Sequence, residues 1–165
     1  MTENSLLADK LKHEGEKSVK YLESLGDEQW KIEIYTEGTV WTIRNILAHL
    51  MTSERAFVRL FENIRQGKMG VSDDFVIDRY NASQQKKTKE LGSQELLQLF
   101  KSVRGDMIAW VLLVSDSDLE KIGRHPFLGQ TTLREMIKMV YLHNQIHIRD
   151  IKNGIDHQNG SSQPR

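Results

Sequence analysis

Two histidines near the end of the chain, His143 and His147, stand four residues apart. On a helix that spacing places both imidazoles on one face, a turn apart. Two ring nitrogens so placed can reach one cation, at about 2.0–2.1 Å if it is zinc. The chain holds six histidines in 165 residues. Chance alone would supply about 0.18 pairs at this spacing in such a chain. The spacing by itself fits metal ligands and an ordinary polar helix face equally well. Position adds to it. Leu133, Met136, Val140, His143, His147 and Ile151 form one stripe at steps of three and four, so the imidazoles extend an apolar, core-facing row. Buried ring nitrogens need partners, and polar groups pointing into a helical bundle are how bundles build metal sites.

His49 lies on the stripe of Ile46, Ser53 and Ala56. Taken alone it is more simply a core histidine bonded to a backbone carbonyl. Joined to the other two, it would complete three neutral imidazoles around a divalent ion, leaving one coordination position open. An open position marks catalytic sites, whereas structural zinc is closed by four protein ligands. Asp150 lies one turn past His147 and can orient an imidazole from behind; an exposed carboxylate near Arg149 and Lys152 is the plainer reading. Asn45, one turn before His49, can do the same, or be a surface amide. His125 precedes Pro126 and reads as a loop contact. His13 and His157 have no such context, and Trp30, Trp41 and Trp110 read as core.

The elements that must carry these residues follow from periodicity. Four helical stretches are predicted, over residues 6–25, 41–67, 93–115 and 132–152. Thr39 or Thr42 caps the second, and Thr132 with Glu135 has capping-box spacing for the fourth. Residues 31–40 read as loop or short extended chain, and 71–92 as a connection with some helix in it. Four amphipathic helices of about 30 Å each predict an all-α fold: a four-helix bundle with at least one long crossover connection, after the second helix. One domain is expected over residues 1–152, followed by a polar, flexible tail over 153–165.

Composition excludes more than it selects. Apolar residues are 38% and charged residues 28% of the chain, the balance of a soluble globular protein. There is no cysteine, so disulfides, thiolate zinc sites, iron–sulfur clusters and a catalytic thiol are out. Lys plus Arg and Asp plus Glu are 23 each. The zero balance predicts no nucleic-acid partner and no polybasic membrane contact. The N-terminus lacks the pattern of a secretory signal, and the longest apolar run, Ala109 to Val114, is far below the roughly 20 residues of a membrane helix. A cytoplasmic location follows by default.

The motifs Trp41-Thr-Ile-Arg-Asn-Ile-Leu-Ala-His49-Leu50, His125-Pro-Phe-Leu-Gly129-Gln-Thr-Thr-Leu133 and Tyr141-Leu-His143-Asn-Gln-Ile-His147, in this order, resemble the DinB/YfiT superfamily. Trp30 matches the tryptophan before that family's second helix. The resemblance covers residues 6–152, with the middle connection the poorest match. It implies a four-helix bundle with a divalent transition metal (zinc, nickel or iron) held by His49, His143 and His147. It also implies low-molecular-weight thiol cofactors such as bacillithiol or mycothiol, S-transferase, isomerase or hydrolase chemistry on a small-molecule substrate, and a homodimer as one assembly. Two positions depart from the family pattern: Ile146, where some members place another histidine, and Asp150, where glutamine or histidine is common. A metal-bound thiol is deprotonated, so a thiolate from a cofactor would be the nucleophile; the same site can instead activate water. A metal-binding or stress-associated interaction protein without turnover is the alternative, and a plain bundle with buried histidines is the third reading.

Overall fold

The computed structural model describes residues 1–161; residues 162–165 lie outside the description. Four long helices dominate: α1 (Glu3–Glu23), α2 (Ile43–Arg65), α4 (Ser93–Leu113) and α6 (Leu133–Ser161). Between them lie a short 3₁₀ turn (Gln29–Lys31), strands β1 (Glu33–Tyr35) and β2 (Trp41–Thr42), helices α3 (Ile77–Lys87) and α5 (Asp116–Leu119), and strands β3 (Ile122–His125) and β4 (Gly129–Thr132). The strands pair as two antiparallel hairpins, β1 with β2 and β3 with β4. No helix among the described residues is long and apolar enough to cross a membrane.

The helices begin where the sequence can satisfy their free amides. Thr42 caps α2: its hydroxyl accepts from the Asn45 amide at 3.3 Å, while the Asn45 Oδ1 accepts the Thr42 amide at 2.9 Å. At α4 the Glu95 carboxylate accepts the Gly92 amide at 3.3 Å. At α6 the Glu135 amide donates to the Thr132 hydroxyl at 3.3 Å, and the Glu135 carboxylate pairs with Lys138. The expected end of this last helix at Lys152 is passed by nine residues, to Ser161. Asn153-Gly154 reads as a stop, yet Ile155 beyond it is buried, and that burial holds the extra turns. The remaining residues of the expected tail, 162–165, fall outside the description.

Apolar side chains form two clusters stacked along the bundle. One gathers Leu22, Trp30, Ile46, Leu47, Phe100 and Ile151; the other gathers Leu11, Phe61, Met107, Val111, Leu133 and Met136. The order in which each helix visits the clusters gives its direction. α1 and α6 run from the second cluster to the first; α2 and α4 run from the first to the second. α1 packs on α4 and α6, and α2 packs on the same two. Neighbours α2 and α4 are therefore parallel, and the chain must return the length of the bundle between them. The long connection over residues 66–92, with α3 in it, makes that return. This is the crossover the sequence predicts.

The return is stitched to the second hairpin. The Val71 amide donates to the Arg124 carbonyl at 3.0 Å, and the Arg124 amide to the Met69 carbonyl at 2.8 Å. Gly70 lies between them at φ +99°, where a Cβ would come within 2.4 Å of the Arg124 oxygen. Only glycine fits this crossing of two backbones.

Between the two apolar clusters every long helix contributes polar residues: Glu14 and Ser18 on α1, Thr52, Ser53 and Glu54 on α2, Arg104 on α4, and Asn144 on α6, all buried. The strongest contact in this layer joins Arg104 to Glu54 through two hydrogen bonds of 2.5 and 2.9 Å. A third Arg104 hydrogen bond, 2.8 Å, reaches the Leu11 carbonyl on α1. Removing one partner of such a pair strands a buried charge. Glu54→Ala is expected to cost about 3–5 kcal/mol in urea unfolding, whereas replacing both partners by leucine should recover most of that loss.

Candidate metal centre and cavity

His49 stands on α2 immediately before the buried polar residues of that helix, and His143 and His147 stand on α6 at the same level. α2 and α6 pack together, and the three side chains meet. The Nε2 atoms of His49 and His143 are 3.0 Å apart, and those of His143 and His147 are 2.9 Å apart. One ligand atom from each of the three lies within 4.8 Å of the others. Three nitrogens around a tetrahedral zinc at its usual bond length would stand about 3.3 Å apart, close to the two separations that His143 makes.

Two of the outer nitrogens have partners of their own. Tyr35, on β1, places its hydroxyl 2.7 Å from His147 Nδ1 and 2.7 Å from the Asp150 carboxylate. A carboxylate only accepts, so the tyrosine donates its one proton to Asp150. His147 Nδ1 must then carry hydrogen and donate to the tyrosine oxygen, which leaves the His147 Nε2 lone pair facing its neighbours. The Ser53 hydroxyl lies 3.3 Å from His49 Nδ1. Lone pairs turned on one another at about 3 Å repel unless a cation or a proton sits between them. That arrangement fits a divalent ion, and imidazole suits zinc, nickel and iron alike.

The hairpin reaches α6 because Gly154 leaves room. A Cβ at Gly154 would come within 2.4 Å of Ile34 Cδ1, and Ile34 is the neighbour of Tyr35. Trp41, on β2, lies with its ring centroid 4.9 Å from that of His49.

A cavity of about 490 Å³ opens beside the triad, walled by α2, α3, the second hairpin and α6. Its eighteen lining residues include the three histidines and Trp41, Phe57, Phe75 and Phe127, and none is Lys, Arg, Asp or Glu. His125, the last residue of β3, is another of them. Its Nδ1 accepts the Phe127 and Leu128 amides, each at 3.1 Å, which fixes the turn after Pro126. Its ring stacks on Phe57 at 5.1 Å.

The candidates that the sequence points to thus separate, and residues that carry no sequence signal join them. His49, His143 and His147 come together. Asp150 joins them one step removed, through Tyr35. Asn45 does not: its amide caps α2 and bonds to Gln85 on α3 at 3.1 Å, because it sits three residues after Thr42, where a cap needs it. Ser53 stands beside His49 instead. Tyr35 carries no signal in a ten-residue segment without periodicity, and His125, although it opens the second family motif, reads from its own neighbours only as a loop contact before Pro126. Of the tryptophans expected in the core, Trp30 is buried. Trp41 faces the cavity, and Trp110 donates to Glu62 at 2.8 Å.

Electrostatically the site favours neutral rings. Burial pushes His49 and His147 down to about 3, with the neighbouring histidines adding to it. Burial alone pushes His143 down to about 4, and burial with the nearby His143 does the same to His125.

The family model described as the DinB superfamily matches residues 10–151. The chain belongs to that superfamily. No curated protein matches the sequence. Among solved structures, YfiT from Bacillus subtilis, described as a probable metal-dependent hydrolase with an unusual four-helix bundle topology, aligns at TM-score 0.77 and 17% identity over 96% of this chain and 90% of its own. A mycothiol-dependent maleylpyruvate isomerase aligns at TM-score 0.75 and 13% identity, over 91% of this chain and 61% of its own. The colibactin self-resistance protein ClbS, crystallised in complex with double-stranded DNA, aligns at TM-score 0.71 and 14% identity over 94% of this chain and 95% of its own. ClbS overturns the expectation that a nucleic-acid partner is excluded. Net charge is a sum over the whole chain, and a zero sum does not forbid DNA contact by a protein of this fold.

A buried imidazole held below its unfolded value of about 6.5 stays neutral in the fold while the unfolded chain already binds a proton. Its contribution to stability is complete above about pH 6.5 and is lost as the pH falls towards 4. Chelator-treated protein should therefore show urea midpoints that drop steeply between pH 6.5 and 4.5, and His125→Asn should make that drop shallower.

Proposed function

We propose that the protein is a metal-dependent enzyme acting on small molecules, with His49, His143 and His147 holding a divalent transition metal. The observation that carries this reading is the convergence of three Nε2 atoms at the wall of a largely apolar cavity. When bound, the ion supplies an open coordination position at which a thiol or water loses its proton near neutral pH. Everything else is done by the chain. Tyr35 and Asp150 hold His147 in the tautomer that presents Nε2, and Ser53 holds the outer nitrogen of His49. The aromatic walls keep bulk water from the reacting groups, which strengthens every charge interaction beside them.

Two kinds of nucleophile suit this site. A low-molecular-weight thiol such as bacillithiol or mycothiol makes the protein an S-transferase; this agrees with the absence of cysteine, since the sulfur would come from the cofactor. Water makes it a hydrolase. The mycothiol-dependent neighbour supports the first reading and the Bacillus subtilis neighbour the second. A metal-binding protein without turnover is the reading to beat.

Protein purified without an affinity tag is expected to hold about one transition-metal ion per chain by elemental analysis, and His143→Ala to lose it. Tyr35→Phe keeps the ligands but releases Asp150 from His147, so metal affinity should fall about 10–100-fold. Metal-loaded protein should turn over a model electrophile with one of bacillithiol, mycothiol or glutathione, or else a simple ester or amide. Full metal content with no turnover on any of these would favour the binding protein, and wild-type metal content in His143→Ala would end the metalloprotein reading.

A further inference from the structure

The cavity's own chemistry specifies what it takes. None of its eighteen lining residues carries a permanent charge. A ligand bearing a carboxylate, phosphate or ammonium group deep in this space would lose its hydration with no oppositely charged side chain on the wall to offset the loss. Aromatic faces from Trp41, Phe57, Phe75 and Phe127 supply the contact area instead. Most polar groups on the wall are already engaged. Ser53 faces His49, and the Tyr80 hydroxyl bonds the Thr52 carbonyl at 3.4 Å.

His125 is different. Two backbone amides donate to its Nδ1, so that nitrogen carries the lone pair and the neutral ring's single hydrogen is on Nε2. The residue is only 3% exposed, and its Nε2 has no hydrogen-bond partner. The turn on one side and the Phe57 ring on the other fix its orientation. A buried donor left unsatisfied is costly, and groups of this kind in binding cavities find their partner on the ligand.

We infer that the cavity receives an uncharged, largely apolar small molecule carrying one hydrogen-bond acceptor, such as a carbonyl oxygen, and that His125 Nε2–H holds that acceptor. The inference rests on reading the cavity as the substrate site of the proposed enzyme, and it makes His125 a specificity-determining residue. Ile146, between two of the histidines in sequence and 40% exposed, lines the same space and is the position from which a charge can be introduced without burying it fully.

Equilibrium dialysis of three probes of one shape tests this: 1-acetylnaphthalene, 1-methylnaphthalene and 1-naphthoate. Each is measured on zinc-loaded protein and on chelator-treated protein, with metal content determined separately. On chelated protein, where no ion can hold the carboxylate, 1-acetylnaphthalene should bind at least tenfold more tightly than 1-naphthoate. His125→Asn keeps an acceptor for the two turn amides but removes the Nε2–H. It should weaken 1-acetylnaphthalene about tenfold and leave 1-methylnaphthalene unchanged, with or without zinc. Ile146→Lys should weaken both neutral probes and strengthen naphthoate. Equal or tighter naphthoate binding to chelated wild-type protein, or no binding of either neutral probe to both forms, would overturn the substrate class. Equal weakening of both neutral probes in His125→Asn would overturn the role of His125. A protein that binds these probes as expected but takes up no metal would sink the metalloenzyme reading and leave the cavity assignment standing; one that takes up metal and rejects the neutral probes would do the reverse.

Discussion

Arg104 and Glu54 form a buried, two-pronged ion pair at mid-bundle, in a layer of buried polar residues to which every long helix contributes. The pair ties α4 to α2, and its third hydrogen bond ties both to α1. A charge in that position has one well-satisfied arrangement, so helix register is fixed there more sharply than apolar packing alone would fix it. That register has a chemical consequence. Glu54 is adjacent to Ser53 and five residues beyond His49, so locking its height on α2 also sets the height at which His49 faces α6. The apolar clusters above and below drive association; the layer between them decides where the helices stop sliding.

From there the site is assembled by elements of very different kinds. Two long helices present the three imidazoles, and rigid helices are suited to the sub-ångström placement that ligation demands. A three-residue strand supplies Tyr35, whose hydroxyl does for His147 what a carboxylate often does directly. The interposed phenol spreads the negative charge of Asp150 one step further from the triad. The second hairpin supplies His125 to the wall of the same cavity, held by its own turn. The histidine triad and the His125 side of the cavity are thus neighbours with separate supports.

Much of this is readable in the residues. The steps of three and four that define α2, α4 and α6 also put His143 and His147 on the inward stripe, because ligands in a bundle obey the periodicity of its core. The length of the segment after α2 already requires a crossover. What the pattern hides has physical reasons. Strands of two to four residues are too short to show alternation, so Tyr35 and His125 look like loop. Asn45 sits at two meaningful spacings at once, a turn from His49 and three residues from Thr42, and the capping interaction takes it. Asp150 meets His147 only through Tyr35, which comes from far along the chain, and no local pattern encodes such a contact. The end of α6 falls beyond its expected place because Ile155 is buried past a glycine that usually ends a helix, and that glycine here also leaves room for Ile34.

The crossover segment has a further meaning. α3 buries none of its residues, yet it forms one wall of the cavity. It is moored along its length, by the Tyr80 hydroxyl to the Thr52 carbonyl at 3.4 Å and by Gln85 to the Asn45 carbonyl at 2.8 Å, and just beyond its end Arg44 reaches the Leu91 carbonyl at 2.8 Å. With no fully buried residue, it has less to hold it closed than the bundle helices have. Amide hydrogens in α3 will exchange by local fluctuation, while those of α2 and α6 wait for events close to global unfolding. The scaffold thereby pairs a stiff histidine-bearing frame with a flank that opens more readily.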